Sequence, residues 1–390
     1  MGNTPRLYDT LVGLLSQHRN WLDVRHMKTL AWMMVGLLMS DSIHLSEWAP
    51  WVESRAVQAQ STERRFARFL HNDRIEANAL YGPLIRQALA DWGAETLYLA
   101  LDTSMLWNRY CLIRLSLIYR GRAVPLVWTV LEHASSSVTL AAYRELLDQA
   151  DLLLPVYPSV PIVFLADRGF ADTALMRYLT DSLGWHWHIR IKSSFWVYRK
   201  GREATKVSRI TLLPGQALFW HDVRVTAQHY GPVHLALAHH RERQEQWRVL
   251  SDLPTSLETF DAYGLRFDIE ESFLDDKSNG FQLESSQLDD AQVLERLCFV
   301  LAMTTLFLVC QGAEVVAQDR RRLVDPHWSR GRSYLKIGWR WVKRALVKRW
   351  TLISTFSLSG EPDPEPAIAS RRKFFNQPST RFTISFESFA

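Results

Sequence analysis

Residues 93–192 constrain the fold most, because their apolar residues follow a two-residue period that then changes. Leu97, Leu99 and Leu101 face one way and Tyr98, Ala100 and Asp102 the other, the alternation of a half-buried strand, with Asp102 read as its last residue. Two β-rich runs follow, Cys111 to Tyr119 and Ala123 to Leu131, joined by a hairpin turn at Arg120-Gly121-Arg122. A helix is expected from Ser136 to Leu153. Val160 to Ala166 is short and almost wholly apolar, as a strand buried on both faces requires, and it stops at Asp167. Asp172 caps a helix from Thr173 to Leu183, and Trp185 to Lys192 forms one more strand. The order strand, strand, strand, helix, strand, helix, strand implies a mixed α+β core in which two aspartates close two different strands.

The flanks read differently. Residues 1–92 have apolar positions at helical spacing and almost no glycine, which predicts a small all-helical domain. Within it, Ser61 to Leu70 puts Phe66, Phe69 and Leu70 on one helix face and Arg64, Arg65 and Arg68 on others, free to touch phosphates. Residues 193–254 are rich in Val, Tyr, Trp, His and Thr with turn signals at Gly201, Pro214-Gly215 and Gly231-Pro232, and are expected to be an all-β insertion. Thr255 with Glu258 reads as a capping box, so the core resumes over 255–318. A basic helical region over 319–360 and a loosely ordered tail over 361–390, with one short strand at Arg381 to Phe386, complete the chain.

Charge is distributed unevenly. Arg320 to Arg349 holds eleven Lys or Arg against one acid, Asp325, a net +10 in a chain whose total is +5, so the remainder is acidic. A local basic stretch with tryptophans suits a polyanion, and nucleic acid is the commonest one. Cys111, Cys298 and Cys310 are widely separated in apolar runs, which argues against a disulfide framework or zinc site and fits a reducing cytoplasm. The longest apolar run, Leu297 to Cys310, is short of the roughly 20 residues a membrane span needs and is read as a buried core helix, so no membrane partner is expected.

Chemistry concentrates at Tyr263, Arg266, Glu270 and Lys277, whose offsets fall within an arc of roughly 60° on a helix. A carboxylate beside a phenol, a guanidinium and an ammonium can be a metal ligand whose neighbours hold phosphates. Gly264 either sits in this helix at a cost of about 1 kcal/mol or marks a break, after which only Arg266 onward is one helix. This spacing, Tyr-x2-Arg-x3-Glu-x6-Lys, resembles the signature of insertion-sequence family 4, a group of DDE transposases. Asp102 in Leu-Ala-Leu-Asp-Thr-Ser and Asp167 in Ala-Asp-Arg-Gly-Phe are similar to that family's first two carboxylate motifs, and the resemblance runs from about Ser61 to Trp350.

The resemblance implies a ribonuclease-H-like catalytic core, with Asp102 and Asp167 on neighbouring strands and Glu270 brought by the late helix. It implies two divalent ions, Mg2+ or Mn2+, held by those three acids, since oxygen ligands suit hard cations. The expected activity is cut-and-paste transposition: nicking at the element's inverted repeat, a DNA hairpin, its opening, and strand transfer into target DNA. A homodimer holding two DNA ends in the synaptic complex follows from that chemistry. Trp247 aligns with a family tryptophan that stacks on a flipped base, with Trp196 a rival. Arg330, Arg332, Lys336 and Arg340 lie in a segment similar to one close to DNA in the family.

Each residue also has a plainer reading. Asp102 or Asp167 alone is an ordinary turn acid, and only their shared strand-end place beside the Glu270 helix lifts them. Glu271 lies roughly 100° from Glu270 and is expected at the surface, while Asp275 and Asp276 are alternative ion-pair partners for Lys277. Trp247 and Trp196 can be core residues of the β insertion, and the arginines of 64–68 an ordinary helix surface. The His186-x-His188 and His239-His240 pairs read as structural. A transposase-derived repressor that binds ends without cutting, and a structure-selective nuclease on the same core, are the competing functions.

Overall fold

A computed structural model describes residues 3–18, 21–53, 58–93, 96–154, 160–240, 245–367 and 383–384. The chain opens with five helices: α1 (Thr4–Leu15), α2 (Val24–Ser40), α3 (Leu45–Trp48), α4 (Ala59–Leu70) and α5 (Ala77–Ala88). The expected all-helical stretch is therefore present. It is not walled off, because one hydrophobic cluster runs from Leu7 through the sheet to Leu358.

The core strands are β1 (Leu97–Leu106), β2 (Tyr110–Tyr119), β3 (Arg122–Glu132), β4 (Ile162–Ala166) and β5 (His186–Arg190), with α6 (Leu140–Leu153) before β4 and α7 (Thr173–Arg177) before β5. Asp172 caps α7 by accepting from the Ala174 amide at 2.9 Å, as read from the sequence. The strands lie in the order β3-β2-β1-β4-β5, with β1, β4 and β5 parallel and β2 and β3 antiparallel to their neighbours. The result is a mixed α/β architecture with a large, mostly antiparallel sheet, compatible with a DDE nuclease fold.

Residues 193–254 add β6 (Trp196–Tyr198), β7 (Thr205–Lys206), β8 (Gln216–Val225), β9 (Tyr230–His239) and β10 (Gln246–Ser251). These strands extend the core sheet, since β10 pairs with β5 at Val249 and Arg190. The helix that follows, α8 (Leu257–Gly264), is capped one residue later than expected: Ser256 Oγ accepts from Glu258 N and Thr259 Oγ1 accepts from Ser256 N. Thr259, not Glu258, closes the box because the hydroxyl at the third helical position reaches back to the cap amide.

Next come α9 (Phe267–Leu274), α10 (Ala291–Ala317) and α11 (Tyr334–Lys348). α10, at 27 residues, is longer than its apolar run suggested and is long and apolar enough to cross a membrane, yet it is almost wholly buried inside the protein. α11 crosses it at backbone distance: a Cβ on Gly312 would lie 2.0 Å from Tyr334 O, and one on Gly338 1.9 Å from Leu308 O, so only glycine fits at either place.

The tail departs from expectation. Asp363 and Glu365 clasp buried Arg330 and Arg321, so residues 361–367 are docked rather than loose. A two-residue strand β11 (Thr383–Ile384), inside the segment read as a strand, pairs parallel with β8; the rest of 368–390 lies outside the described residues.

Candidate active site

The β1–β4 register creates the site. Leu101 and Ala166 are the final parallel pair, so the next residues, Asp102 and Asp167, leave the ladder side by side. Asp102 does not end its strand as expected: β1 continues to Leu106 because β2 keeps pairing with it, Asp102 opposite Arg114. What ends there is the partnership with β4. Asp102 Oδ1 accepts from the Thr103 amide at 2.8 Å, whereas Asp167 Oδ1 is buried with no hydrogen-bond partner among the described residues.

Glu270 arrives on α9. The chain breaks after Gly264, as the alternative reading allowed, and Arg266 occupies the joint before α9. Its guanidinium, 4% exposed, donates to Asp102 Oδ2 at 3.1 Å and to Glu270 Oε1 at 2.5 Å. One cation thus spans two carboxylates from distant parts of the chain. Burial raises the Asp102 carboxyl above its ordinary range; Arg266 opposes that rise, and Glu270 and Asp167 add to it. For Arg266 burial works downward, but Tyr263, Asp102 and Glu270 around it raise the guanidinium on balance.

The other signature residues split. Tyr263 is fully buried beside Arg266, its phenol pushed far up by burial, with its ring 5.8 Å from that of Trp247. Lys277 lies in a π-turn after α9, where its ammonium donates to Met105 O at 2.5 Å and meets Glu284 at 3.0 Å. Asp275 and Asp276 are not its partners. They pair with Arg122 and Arg114, because α9 lies across β2 and β3.

Trp247 is half-buried in an aromatic cluster with Phe260, Tyr263 and Phe267, while Trp196 is 37% exposed on β6. Arg64 and Arg68 are exposed and, with Ser61, Ala67 and His71, line a surface pocket. Arg65 differs from the free surface expected of it: it is half-buried over the Phe66 ring, and burial lowers its guanidinium.

The basic segment needs a larger correction. Arg330 is 1% exposed and bonds Asp363, Glu365 O and Arg332 O, so it is a structural clasp and not a presented phosphate contact. Arg332 is partly buried, Lys336 stands 4.0 Å from Asp275, and Arg340 is exposed. Tyr334, which opens α11, packs on Tyr119 at the hairpin end of β2, five residues from Arg114 and so about 17 Å along the strand from Asp102.

Sequence reading missed three arginines beside Asp167. Arg168 follows it directly, Arg190 ends β5, and Arg248 lies on β10. Burial lowers the Arg248 guanidinium, and the nearby positive charges of Arg190 and Arg168 lower it further. Arg190 is already paired with Glu245 at 3.0 Å, and Arg168 and Arg248 add positive charge on the Asp167 side of the site. The signal available was adjacency, since Arg168 follows Asp167 and Arg248 follows Trp247.

The geometry agrees with the comparison to known families. The model for the transposase DDE domain matches residues 108–307, just over half of the chain. This chain belongs to that family. It is therefore a DDE transposase, an enzyme that cuts DNA with divalent metal ions. The matched region includes Asp167 and Glu270 and begins just after Asp102. No curated protein matches the chain.

Proposed function

We propose that this DDE transposase moves an insertion sequence by cut-and-paste, using Asp102, Asp167 and Glu270. The observation that carries the reading is the register that sets Asp102 beside Asp167, with Arg266 joining Asp102 to Glu270. The partition into a helical end-binding domain, a ribonuclease-H-like core split by the 193–254 insertion, a basic region and a tail belongs to the same reading, as does kinship with insertion-sequence family 4.

The donor set suits two hard cations, Mg2+ or Mn2+: all three side chains offer oxygen, and the buried Asp167 Oδ1 lacks another partner among the described residues. Among those residues no group of three acids, histidines or cysteines is closed to ligand spacing, with Arg266 lying between Asp102 and Glu270. Asp102, Asp167 and Glu270 would hold the ions, and Arg266 pairs with two of these three acids. When bound, the ions supply an activated attacking oxygen and a stabilised leaving oxygen at the phosphate.

The protein's own groups position the DNA. Arg266 has the two-pronged fork of a phosphate donor, and Tyr263 and Trp247 form the wall behind it. Arg168, Arg190 and Arg248 hold the strand that passes Asp167. Lys277 secures the end of β1 and reaches a phosphate only by leaving Met105 and Glu284. Arg64 and Arg68 on α4 and Arg332, Lys336 and Arg340 near α11 contact duplex away from the cut. A flipped base stacks on Trp247, which lies against Tyr263 beside Arg266, and this relieves the bend of a hairpin end. Two chains hold two ends in a homodimeric synaptic complex.

Short inverted repeats, read from the DNA flanking the coding region, provide the substrate for a test. Purified protein and an end-labelled duplex carrying one repeat and its flank are incubated with Mg2+, and products are resolved under denaturing conditions. A nick at the repeat boundary that converts to a covalently closed hairpin supports the route. Nicks that never close remove the hairpin, and binding without any cut favours a repressor.

A further inference from the structure

A second basic surface lies outside the segment that charge counting singled out. From Lys192 to Arg209 there are six Lys or Arg and one acid, Glu203, a net +5. The segment leaves the C-terminal end of β5, the strand beside β4, whose own end carries Asp167.

Its strands sort residues by face. Val197 and Val225 are paired and buried, so the alternating positions point outward: Trp196, directly opposite Lys206, and Tyr198, directly opposite Arg224. Arg199 lies 3.9 Å over the Trp220 ring, and the Tyr198 ring lies 4.0 Å from that of His229, tilted by 38°. Lys192, Lys200, Arg202 and Arg209 are exposed, and none of the segment's six cations forms an ion pair with a carboxylate among the described residues. Edge strands do carry lysines to block aggregation, but one or two charges suffice, and an exposed tryptophan works against that purpose. Aromatic rings alternating with unpaired cations on a sheet face are the chemistry of a nucleic-acid groove.

We propose that the outer face of β7, β6 and β8 is a DNA-backbone contact, separate from the carboxylate centre, that holds a DNA segment by its phosphates with Trp196 against it. This rests on the transposase reading, and the test keeps the two apart. Affinity for linear duplex DNA is measured between 50 and 200 mM salt for the wild type and for the triple variant Lys200→Gln, Arg202→Gln, Arg209→Gln. Each lost phosphate contact removes about 0.9 from the slope of log affinity against log salt, so a slope shallower by about 2 to 3 is expected. An unchanged slope overturns the proposal. A second reading on the wild type alone is acetylation of Lys192, Lys200 and Lys206 with and without DNA: protection supports the contact, and equal labelling refutes it. Wild-type cleavage in the same preparation reports on the transposase reading: a patch effect without any metal-dependent cut sinks that reading while leaving the contact standing.

Discussion

Arg114, the β2 residue directly opposite Asp102, forms a buried ion pair with Asp276, both side chains about 5% exposed or less, and so fastens the turn that follows α9 to β2. Arg114 also donates to Ser272 at 3.2 Å and lies 4.2 Å over the Phe273 ring. Glu270 therefore owes its place to a clamp that contains none of the three acids.

Removing one side of such a pair leaves a buried charge alone, which costs roughly 3 to 5 kcal/mol. Asp276→Ala is expected to lower stability by that amount in urea unfolding. Arg114→Met with Asp276→Leu, which removes both charges, is expected to recover most of it. Wild-type stability in Asp276→Ala would show that the clamp contributes nothing.

Arg266→Lys keeps a positive charge but loses the fork that reaches two carboxylates. Single-turnover cleavage is expected to fall by about 100-fold, the scale of one lost preorganised donor. A rate within a few-fold of wild type would mean that charge alone matters at that position.

Arg330→Ala separates structure from DNA contact. Leaving Asp363 without its cation is expected to cost roughly 3 kcal/mol of stability. The salt dependence of DNA binding, in contrast, should match wild type, since the guanidinium is enclosed. A shallower slope with unchanged stability would restore Arg330 as a phosphate contact.

His188 supplies a pH dependence. Burial lowers its imidazole from 6.5 to about 4, so between those values the unfolded chain binds the extra proton and the folded chain does not. Stability is then full above about pH 6.5 and falls by roughly 3 kcal/mol as pH drops toward 4. His188→Gln should flatten this part of the unfolding profile, and an unaltered profile would assign the acid lability to other groups.

Much of this was legible because local patterns report local structure. Alternation at Leu97 to Asp102, the β-rich runs after it and the short apolar run before Asp167 located β1 to β5 in order, and Gly264 marked the place where α8 and α9 could part. Asp102 was misplaced at a strand end because alternation cannot show that β4 stops while β2 continues. Arg330 was misread for a related reason: a basic run reports charge but not burial, and its partners Asp363 and Glu365 lie more than thirty residues on. Arg168 follows Asp167 in the chain, but Arg190 and Arg248 reach it only through sheet order, which spacing does not encode. The Lys192 to Arg209 cluster was visible in composition but was averaged away in the net charge of the remainder.

The most direct test compares single-turnover cleavage of an inverted-repeat duplex by wild type, Asp102→Ala, Asp167→Ala and Glu270→Ala, with Mg2+, with Mn2+ and with a chelator. Cleavage at the repeat boundary by wild type alone, and only with metal, is the predicted result. Cutting that persists in the chelator, or in Asp167→Ala at the wild-type rate, would contradict the assignment of the three carboxylates.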